Sequence, residues 1–144
     1  MRQYIGTKII QAEPKLRRVP GDNCLADGGY ESGYKVVYPD GYESWSPKDV
    51  FEAAYRETSG MSFGLAIEAA KMGKKIARAG WNGKNQYVEL ASCISYKNAA
   101  GEVVNVDHCD IGNKALAFVG TSGVQMGWLA SQADMLADDW RIVE

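Results

Sequence analysis

Two turn signals constrain the fold of this chain more than any other feature. Pro39-Asp40-Gly41 lies between two aromatic-rich arms, and Asn82-Gly83 is the pair preferred in type I′ hairpin turns. A tight turn forces the two strands that it joins to run antiparallel. Helical patterns beginning at Ser46 and Ser62 lie between the two turns. We therefore predict an α+β protein with small antiparallel sheets and short helices.

A boundary near Glu57-Thr-Ser-Gly-Met61 divides the chain into two expected domains. Residues 1–57 form an aromatic-rich hairpin-and-helix module, and residues 61–144 form a region that looks self-contained. The elements expected in the module are a strand over residues 4–12 that stops at Pro14, a hairpin over residues 33–45, and a helix from an N-cap at Ser46 to about Arg56.

The second region is expected to begin with a helix that Ser62 caps and Gly73 ends. Strands over residues 75–79 and 86–90 would flank the Asn82-Gly83 turn. The remaining expected elements are short strands at residues 94–96, 103–106 and 115–119, a short helix from Ser131 or Gln132 through Ala137, and a final strand at residues 140–143.

Composition excludes several classes of protein. The 144 residues carry a net charge of −2, which lacks the basic footprint of a duplex nucleic-acid binder. Three cysteines without Cys-x-x-Cys spacing predict no disulfide framework and suit a reducing cytosol. No apolar run approaches the roughly 20 residues needed to span a membrane, and the polar N-terminus does not resemble a signal peptide. We expect a soluble intracellular protein.

Metal and nucleophilic chemistry have little support in the sequence. The single histidine, His108, adjoins Cys109 in an expected loop, and neighbouring residues on a strand point apart. A zinc site would need these two residues and Cys93 to converge with a carboxylate, and their spacing matches no known pattern. We expect no metal, no cofactor and no catalytic residue.

Two tryptophan motifs are the candidate binding elements. Trp81, in Gly80-Trp81-Asn82-Gly83, is a core residue, a subunit-interface anchor or a stacking platform for a nucleobase. Trp128 precedes Ala130, Ser131 and Gln132, where small and hydrogen-bonding residues would let a ligand approach the backbone. The free N–H groups of the following helical turn also suit a phosphate. The alternative is an ordinary strand-to-helix corner.

Three carboxylates offer a different interpretation. Asp134 and Asp138 are four residues apart and could share a helix face, with Asp139 beside them. Such a group could serve an enzyme that modifies cyclic nucleotides, or simply form a solvated surface and a helix cap. Of the three, Asp134 is the best candidate for a ligand acceptor. A phage protein-interaction module with aromatic anchors is a third hypothesis.

The two motifs also carry a family resemblance. The stretch from Met61 to Lys84, ending Arg78-Ala-Gly-Trp-Asn-Gly-Lys84, resembles the opening of the Thoeris anti-defense 2 family. Trp128-Leu-Ala-Ser-Gln-Ala-Asp-Met-Leu-Ala-Asp-Asp-Trp140 resembles its closing signature. The run Tyr-Pro-Asp-Gly-Tyr-x-Ser-Trp-Ser-Pro in the first module resembles a segment of other phage-encoded proteins with no activity known to us.

The resemblance implies a non-enzymatic phage sponge in the cytoplasm of the infected bacterium. Such proteins sequester nucleotide-derived immune signals, including cyclic ADP-ribose isomers such as glycocyclic ADP-ribose, and keep them from Thoeris effectors. Some relatives hold cyclic di- or trinucleotides of CBASS-type pathways. The family forms homo-oligomers, commonly tetramers, with ligand sites where subunits meet. Carried over to this chain, the implied ligand-binding residues are Trp81, Asn82, Trp128, Ser131, Gln132, Asp134 and Met135.

Overall fold

The computed structural model describes residues 1–19, 29–105 and 114–144. They form two compact units, Met1–Arg56 and Glu57–Glu144. Each unit combines antiparallel sheet with short helices, which confirms the α+β class. Within the described ranges, every helix is too short or too polar to cross a bilayer.

The first unit is a three-stranded sheet with one helix. Its elements are β1 (Gln11–Pro14), β2 (Arg17–Arg18), β3 (Tyr30–Glu31), β4 (Gly33–Val37), β5 (Glu43–Pro47) and α1 (Lys48–Ala54). The sheet has the order β1-β4-β5, and β2 pairs with β3. The predicted hairpin is confirmed: the Gly41 amide donates to the Tyr38 carbonyl at 2.8 Å, and Gly41 has a φ of 88°.

Two predictions for this unit were wrong in detail. The strand expected over residues 4–12 instead covers Gln11–Pro14, because its partner β4 is only long enough to pair with those residues. Pro14 is accommodated because β1 is an edge strand, where a proline need not donate to a neighbour. The helix begins one residue later than expected, because Ser46 belongs to β5 and Pro47 occupies the N-cap position.

Aromatic stacking fixes helix α1 on the sheet. The ring of Phe51 stacks on Tyr34 at a centroid distance of 4.1 Å, and the Tyr34 hydroxyl donates to Glu52 at 2.8 Å. On β5, the Trp45 indole donates to the Lys15 carbonyl at 2.8 Å and lies under the Arg17 guanidinium at 4.0 Å. Aromatic contacts therefore replace part of the large aliphatic core that so short a unit lacks.

Gly33 is the position where this unit tolerates a side chain least. A Cβ there would collide with the Trp45 ring and with the Ser46 carbonyl oxygen. We expect Gly33→Ala to destabilise the first unit by about 2–4 kcal/mol, because backbone must move to relieve the clash. Hydrogen exchange at the β4 and β5 amides would measure the loss. Gly6→Ala is the matched control, since nothing lies within 4 Å of its Cβ position; equal protection in both variants would contradict this prediction.

The second unit is a five-stranded antiparallel sheet packed against one helix. Its elements are α2 (Phe63–Lys71), β6 (Lys75–Arg78), β7 (Tyr87–Ser92), β8 (Ser95–Lys97), β9 (Val103–Asn105), β10 (Lys114–Gly120), β11 (Gly123–Met126), α3 (Gln132–Met135) and β12 (Trp140–Val143). The strand order is β11-β10-β7-β6-β12, and β8 and β9 form a separate pair.

Helix α2 has the predicted ends. The Ser62 hydroxyl accepts the Leu65 amide at 3.4 Å, and Gly73 follows the helix with a φ of 87°. Alanines pack the helix closely against the sheet, so larger side chains from the strands complete the core. The fully or nearly fully buried residues of this core are Met61, Ala66, Ala69, Ala70, Ile76, Val88 and Trp140.

The connection between β6 and β7 differs from the predicted two-residue turn. Strand β6 ends at Arg78 and β7 begins at Tyr87, so residues 79–86 form a longer loop. A type I′ turn requires positive φ at both central residues. Neither Asn82 nor Gly83 has a positive φ, and Asn85 does, at 59°. Strand β11, which pairs antiparallel with β10, was not predicted from the sequence.

The two faces of this sheet have different neighbours. Side chains alternate along a strand, and the register pairs Ile76 with Ile142 and Ala77 with Arg141. Ile76 belongs to the buried core and Ile142 packs against it. Ala77 and Arg141 therefore belong to the opposite face, together with Lys75.

Candidate functional site

Arg78 is the centre of an ion-pair network at the end of β6. Its Nε donates to Asp139 Oδ1 at 2.9 Å, and its Nη1 donates to Asp134 Oδ1 at 3.0 Å. Asp139 Oδ2 also accepts the Gly80 amide at 2.9 Å. The network therefore fixes the start of the loop that carries Trp81. Asp139 was considered only as part of a carboxylate group, and Arg78 was not predicted as a site residue, because the two are 61 positions apart in sequence.

Asp134 connects this network to the short helix α3. Its Oδ2 accepts the Ser131 amide at 3.0 Å and the Ser131 hydroxyl at 2.8 Å, while that hydroxyl group accepts the Asp134 amide at 3.1 Å. This is a capping box with aspartate at its third position. The Trp81 indole donates to Asp134 Oδ1 at 3.3 Å. Four donors thus occupy one carboxylate.

Three tryptophans surround this point. The rings of Trp81, Trp128 and Trp140 meet edge to face, with centroids 5.3 to 6.1 Å apart. Trp140 is fully buried, and its indole donates to the Asp134 carbonyl at 2.8 Å. Trp81 is half-buried and also contacts Phe118 at 5.7 Å. The Trp81 ring is therefore held in one orientation with part of its surface left for other contacts.

The network keeps both carboxyl groups ionised. Burial alone would raise the pKa of Asp134, but the hydrogen bonds from Ser131 and Arg78 outweigh it, and the pKa is lowered. The hydrogen bond from Arg78 is the main cause of the lowered pKa of Asp139, with burial opposing it. The pKa of Arg78 is raised, mainly through its hydrogen bonds to Asp139 and then Asp134.

These shifts predict how stability depends on pH. A carboxyl group whose pKa is lower in the folded state stabilises above its unfolded pKa, about 3.9 for aspartate, and loses that contribution as pH falls through the folded pKa. We expect the free energy of unfolding to fall below about pH 4, and to fall less in Asp139→Asn. Urea unfolding between neutral and acidic pH would measure this. Asp138→Asn is the control for removing a charge, since Asp138 is exposed beside the network; identical acid sensitivity in all three proteins would contradict the expectation.

The predicted site residues fall into two groups in the structure. Trp81, Trp128, Ser131 and Asp134 lie together in the network and the tryptophan cluster. Asn82, Gln132 and Met135 are exposed around it. Ser131 and Asp134 use their polar atoms on each other, on Arg78 and on Trp81, so their visible role is to position neighbouring groups.

One feature expected near α3 is not present, and a second is not tested by the structure. Helix α3 ends at Met135, so Asp138 does not share a helix face with Asp134. Asp134 is instead linked to Asp139 through Arg78. The capping box occupies two amides at the N-terminus of α3, since Asp134 Oδ2 accepts the Ser131 amide and Ser131 Oγ accepts the Asp134 amide. A phosphate at this helix N-terminus stays a prediction.

A cleft of about 280 Å³ opens beside Trp81. Lys75 and Arg141 line it from the side of the sheet opposite the α2 core, and Trp81 and Tyr87 add aromatic surface. This cleft could not be predicted from the sequence. It requires β6 and β12 to pair, although these strands come from opposite ends of the unit.

The residues considered for metal binding give no cluster in the described part of the chain. Cys93 is exposed and has a φ of 55°. His108 and Cys109, with which it would have to converge, lie outside the described residues, as does Cys24.

The second unit matches a known family. The model of the Thoeris anti-defense 2-like domain matches residues 61–143, which include the whole network and every predicted site residue. The chain belongs to the Thoeris anti-defense 2-like family. The Thoeris anti-defense 2 protein of Bacillus phage SP01 is 39% identical over 88 residues, covering 58% of this chain and 94% of that protein.

Membership confirms the resemblance inferred from the two tryptophan motifs and supports an anti-Thoeris function. Both tryptophan motifs lie in the matched region, and the Arg78 network joins them through hydrogen bonds. The first unit, Met1–Arg56, lies outside the match.

Proposed function

We propose that this protein is a phage sponge that binds and sequesters, without cleaving, a nucleotide-derived immune signal. The signal would be a cyclic ADP-ribose isomer such as glycocyclic ADP-ribose, with cyclic di- and trinucleotides of CBASS-type systems as further ligands. Sequestration would prevent activation of host effectors. The family match supports the anti-Thoeris part of this proposal. A sponge must act where the signal accumulates, so we expect it in the cytoplasm of the infected bacterium.

The observation that carries the proposal is the fixed, half-buried ring of Trp81. Its Nε1 bond to Asp134 and its edge-to-face contacts to two other tryptophans hold the ring before a ligand arrives. A pre-positioned ring binds a planar base with little loss of side-chain entropy. The exposed amides of Asn82 and Gln132 are suited to base edges or ribose hydroxyls.

The other predicted site residues support the ring or border it. Trp128 packs against Trp81, and Asp134 with Ser131 fixes its orientation. Met135 is exposed at the end of α3 and would add apolar contact to a ligand. In this proposal Asp134 orients Trp81 through its Oδ1 atom, because its four accepted hydrogen bonds leave it little capacity for a ligand.

We also propose that the protein works as a homo-oligomer, with a tetramer as the expected form and sites completed between subunits. Leu129 and Leu136 flank the predicted site and expose 88% and 78% of their surface. Large apolar side chains so close to a binding site are suited to a subunit contact, and closed symmetry would repeat the site.

The competing hypothesis is an enzyme that uses paired carboxylates. Asp134 and Asp139 are both paired with Arg78, and their lowered pKa values favour the ionised form, which cannot donate a proton. This arrangement suits a structural role better than general acid catalysis.

Calorimetric titration with cyclic ADP-ribose isomers and then cyclic di- and trinucleotides tests the proposal. We expect one ligand to bind with a Kd of nanomolar order, about −12 kcal/mol, and to be recovered with unchanged mass after heat denaturation. Recovery of an altered mass would favour the enzyme. If no nucleotide of the panel binds and a protein partner copurifies, a protein-interaction module is favoured.

A further inference from the structure

We infer that the cleft lined by Lys75 and Arg141 is an anion subsite that binds the diphosphate of the sequestered signal. This inference rests on the proposed function, since it assigns the charged part of the ligand to a second place beside Trp81. Arg78 also lines this cleft, but its charge is paired with Asp134 and Asp139, whereas Lys75 and Arg141 take no part in that network.

The register of β6 and β12 brings the two cations together. Lys75 pairs with Val143, and Arg141 pairs with Ala77, so the two cations are diagonal neighbours on one sheet face. Such positions are about 7–8 Å apart, within reach of long side chains. Both side chains line the same cleft. Two positive charges thus face a common space.

Neither cation is neutralised by an ion pair within the described ranges. The acidic partners found there belong to Arg17, Lys35, Lys71 and Arg78. The ammonium group of Lys75 lies 4.7 Å from the centroid of the Tyr87 ring, which holds it over the cleft without removing its charge. Arg141 is exposed, and its planar guanidinium can donate two parallel hydrogen bonds to phosphate oxygens.

The size and composition of the cleft indicate which part of a ligand it would accept. Its volume of about 280 Å³ is at the lower limit of complete small-molecule sites, so it suits part of a dinucleotide-sized ligand. Trp81 lines its edge, and Asn85 and Gln86 add polar groups. A ligand with its base on Trp81 would therefore extend its diphosphate along the sheet toward Lys75 and Arg141.

Glu144 also lines the cleft and opposes an anion there. Removing its negative charge should therefore change the affinity in the direction opposite to removing Lys75 or Arg141. Glu144→Gln should raise affinity about two- to fivefold, because it removes a repulsion near the diphosphate. General damage to the fold would lower affinity instead.

The main experiment titrates the full-length protein with the tightest member of the nucleotide panel. Lys75→Gln and Arg141→Gln should each weaken binding about tenfold or more, while Lys75→Arg and Arg141→Lys should retain most of it. Lys74→Gln and Lys84→Gln are matched controls, because both lysines are exposed nearby and neither lines the cleft. Unchanged affinity in both cleft variants would overturn the subsite and leave the sponge intact.

Inorganic pyrophosphate separates this inference from the proposed function. We expect it to shift the NMR amide signals of β6 and β12 in the unmodified protein and not in the Lys75→Gln/Arg141→Gln double variant. If no nucleotide binds and this result is obtained, the anion site stands although the sponge proposal fails. If neither a nucleotide nor pyrophosphate binds, both are overturned.

Discussion

Trp81→Ala is expected to weaken binding of the immune signal about 100-fold, because stacking on one aromatic ring contributes roughly 1–3 kcal/mol per base. The substitution also removes the ring that contacts Trp128 and lines the cleft, so the groups on either side of it would no longer be held in a fixed position relative to the ligand. Calorimetric titration measures the change in Kd, and circular dichroism establishes that the variant is folded.

Two further variants separate stacking from folding. Trp81→Phe keeps an aromatic face but loses the hydrogen bond to Asp134, so we expect an intermediate loss of about five- to tenfold. Tyr96→Ala removes an exposed aromatic ring from the separate β8–β9 pair and should leave Kd unchanged. A folded Trp81→Ala protein with the affinity of the unmodified chain would end the assignment of Trp81 as the stacking platform.

Asp134→Ala is expected to lower the free energy of unfolding of the second unit by about 2–4 kcal/mol. The carboxylate accepts hydrogen bonds from Arg78, Trp81 and twice from Ser131, so its removal leaves donors on three residues without this acceptor. The capping box of α3 is lost at the same time. Urea denaturation measures the change.

Asp134→Asn provides a sharper version of this test. An amide has one acceptor oxygen, and its NH₂ group would face either the Arg78 and Trp81 donors or the Ser131 donors. We therefore expect asparagine to rescue little of the stability. Asp138→Ala, at the exposed neighbouring carboxylate, should change stability by no more than about 0.5 kcal/mol. Near-native stability in Asp134→Asn would show that the charge and the second acceptor are unimportant.

Local signals in the sequence predicted much of the fold. The cap at Ser62, the stop at Gly73 and the strand Trp140–Val143 depend on a few adjacent residues, and the structure agrees with each. The prediction of a two-residue turn at Asn82-Gly83 was wrong, because tertiary contacts outweighed the preference of this pair for a type I′ turn. Asp139 accepts the Gly80 amide and Arg78, which pulls the chain away from a tight hairpin into a longer loop.

The candidate site was predictable only where its residues occur in compact motifs. Trp81 and Trp128 could be identified individually, and the family match covers both. Arg78 connects the segment of Trp81 to Asp134 and Asp139 of the second motif through contacts across 56 and 61 positions of sequence. One indication was available, since an arginine precedes the first motif and two acidic residues precede Trp140. An ion pair between these residues can be inferred only once β6 is known to pair with β12, which places Arg78 opposite Trp140.

The bridge between Met61 and Trp140 has a consequence for how such proteins are assembled in evolution. The Met61 amide donates to the Trp140 carbonyl at 2.7 Å, and the Trp140 amide returns a bond to Met61 at 3.1 Å. The entry and exit of the family domain are therefore neighbours. A domain closed in this way can receive a new segment at either end without opening its sheet. Such a domain tolerates different segments before Met61 or after Trp140 without rearrangement of its strands.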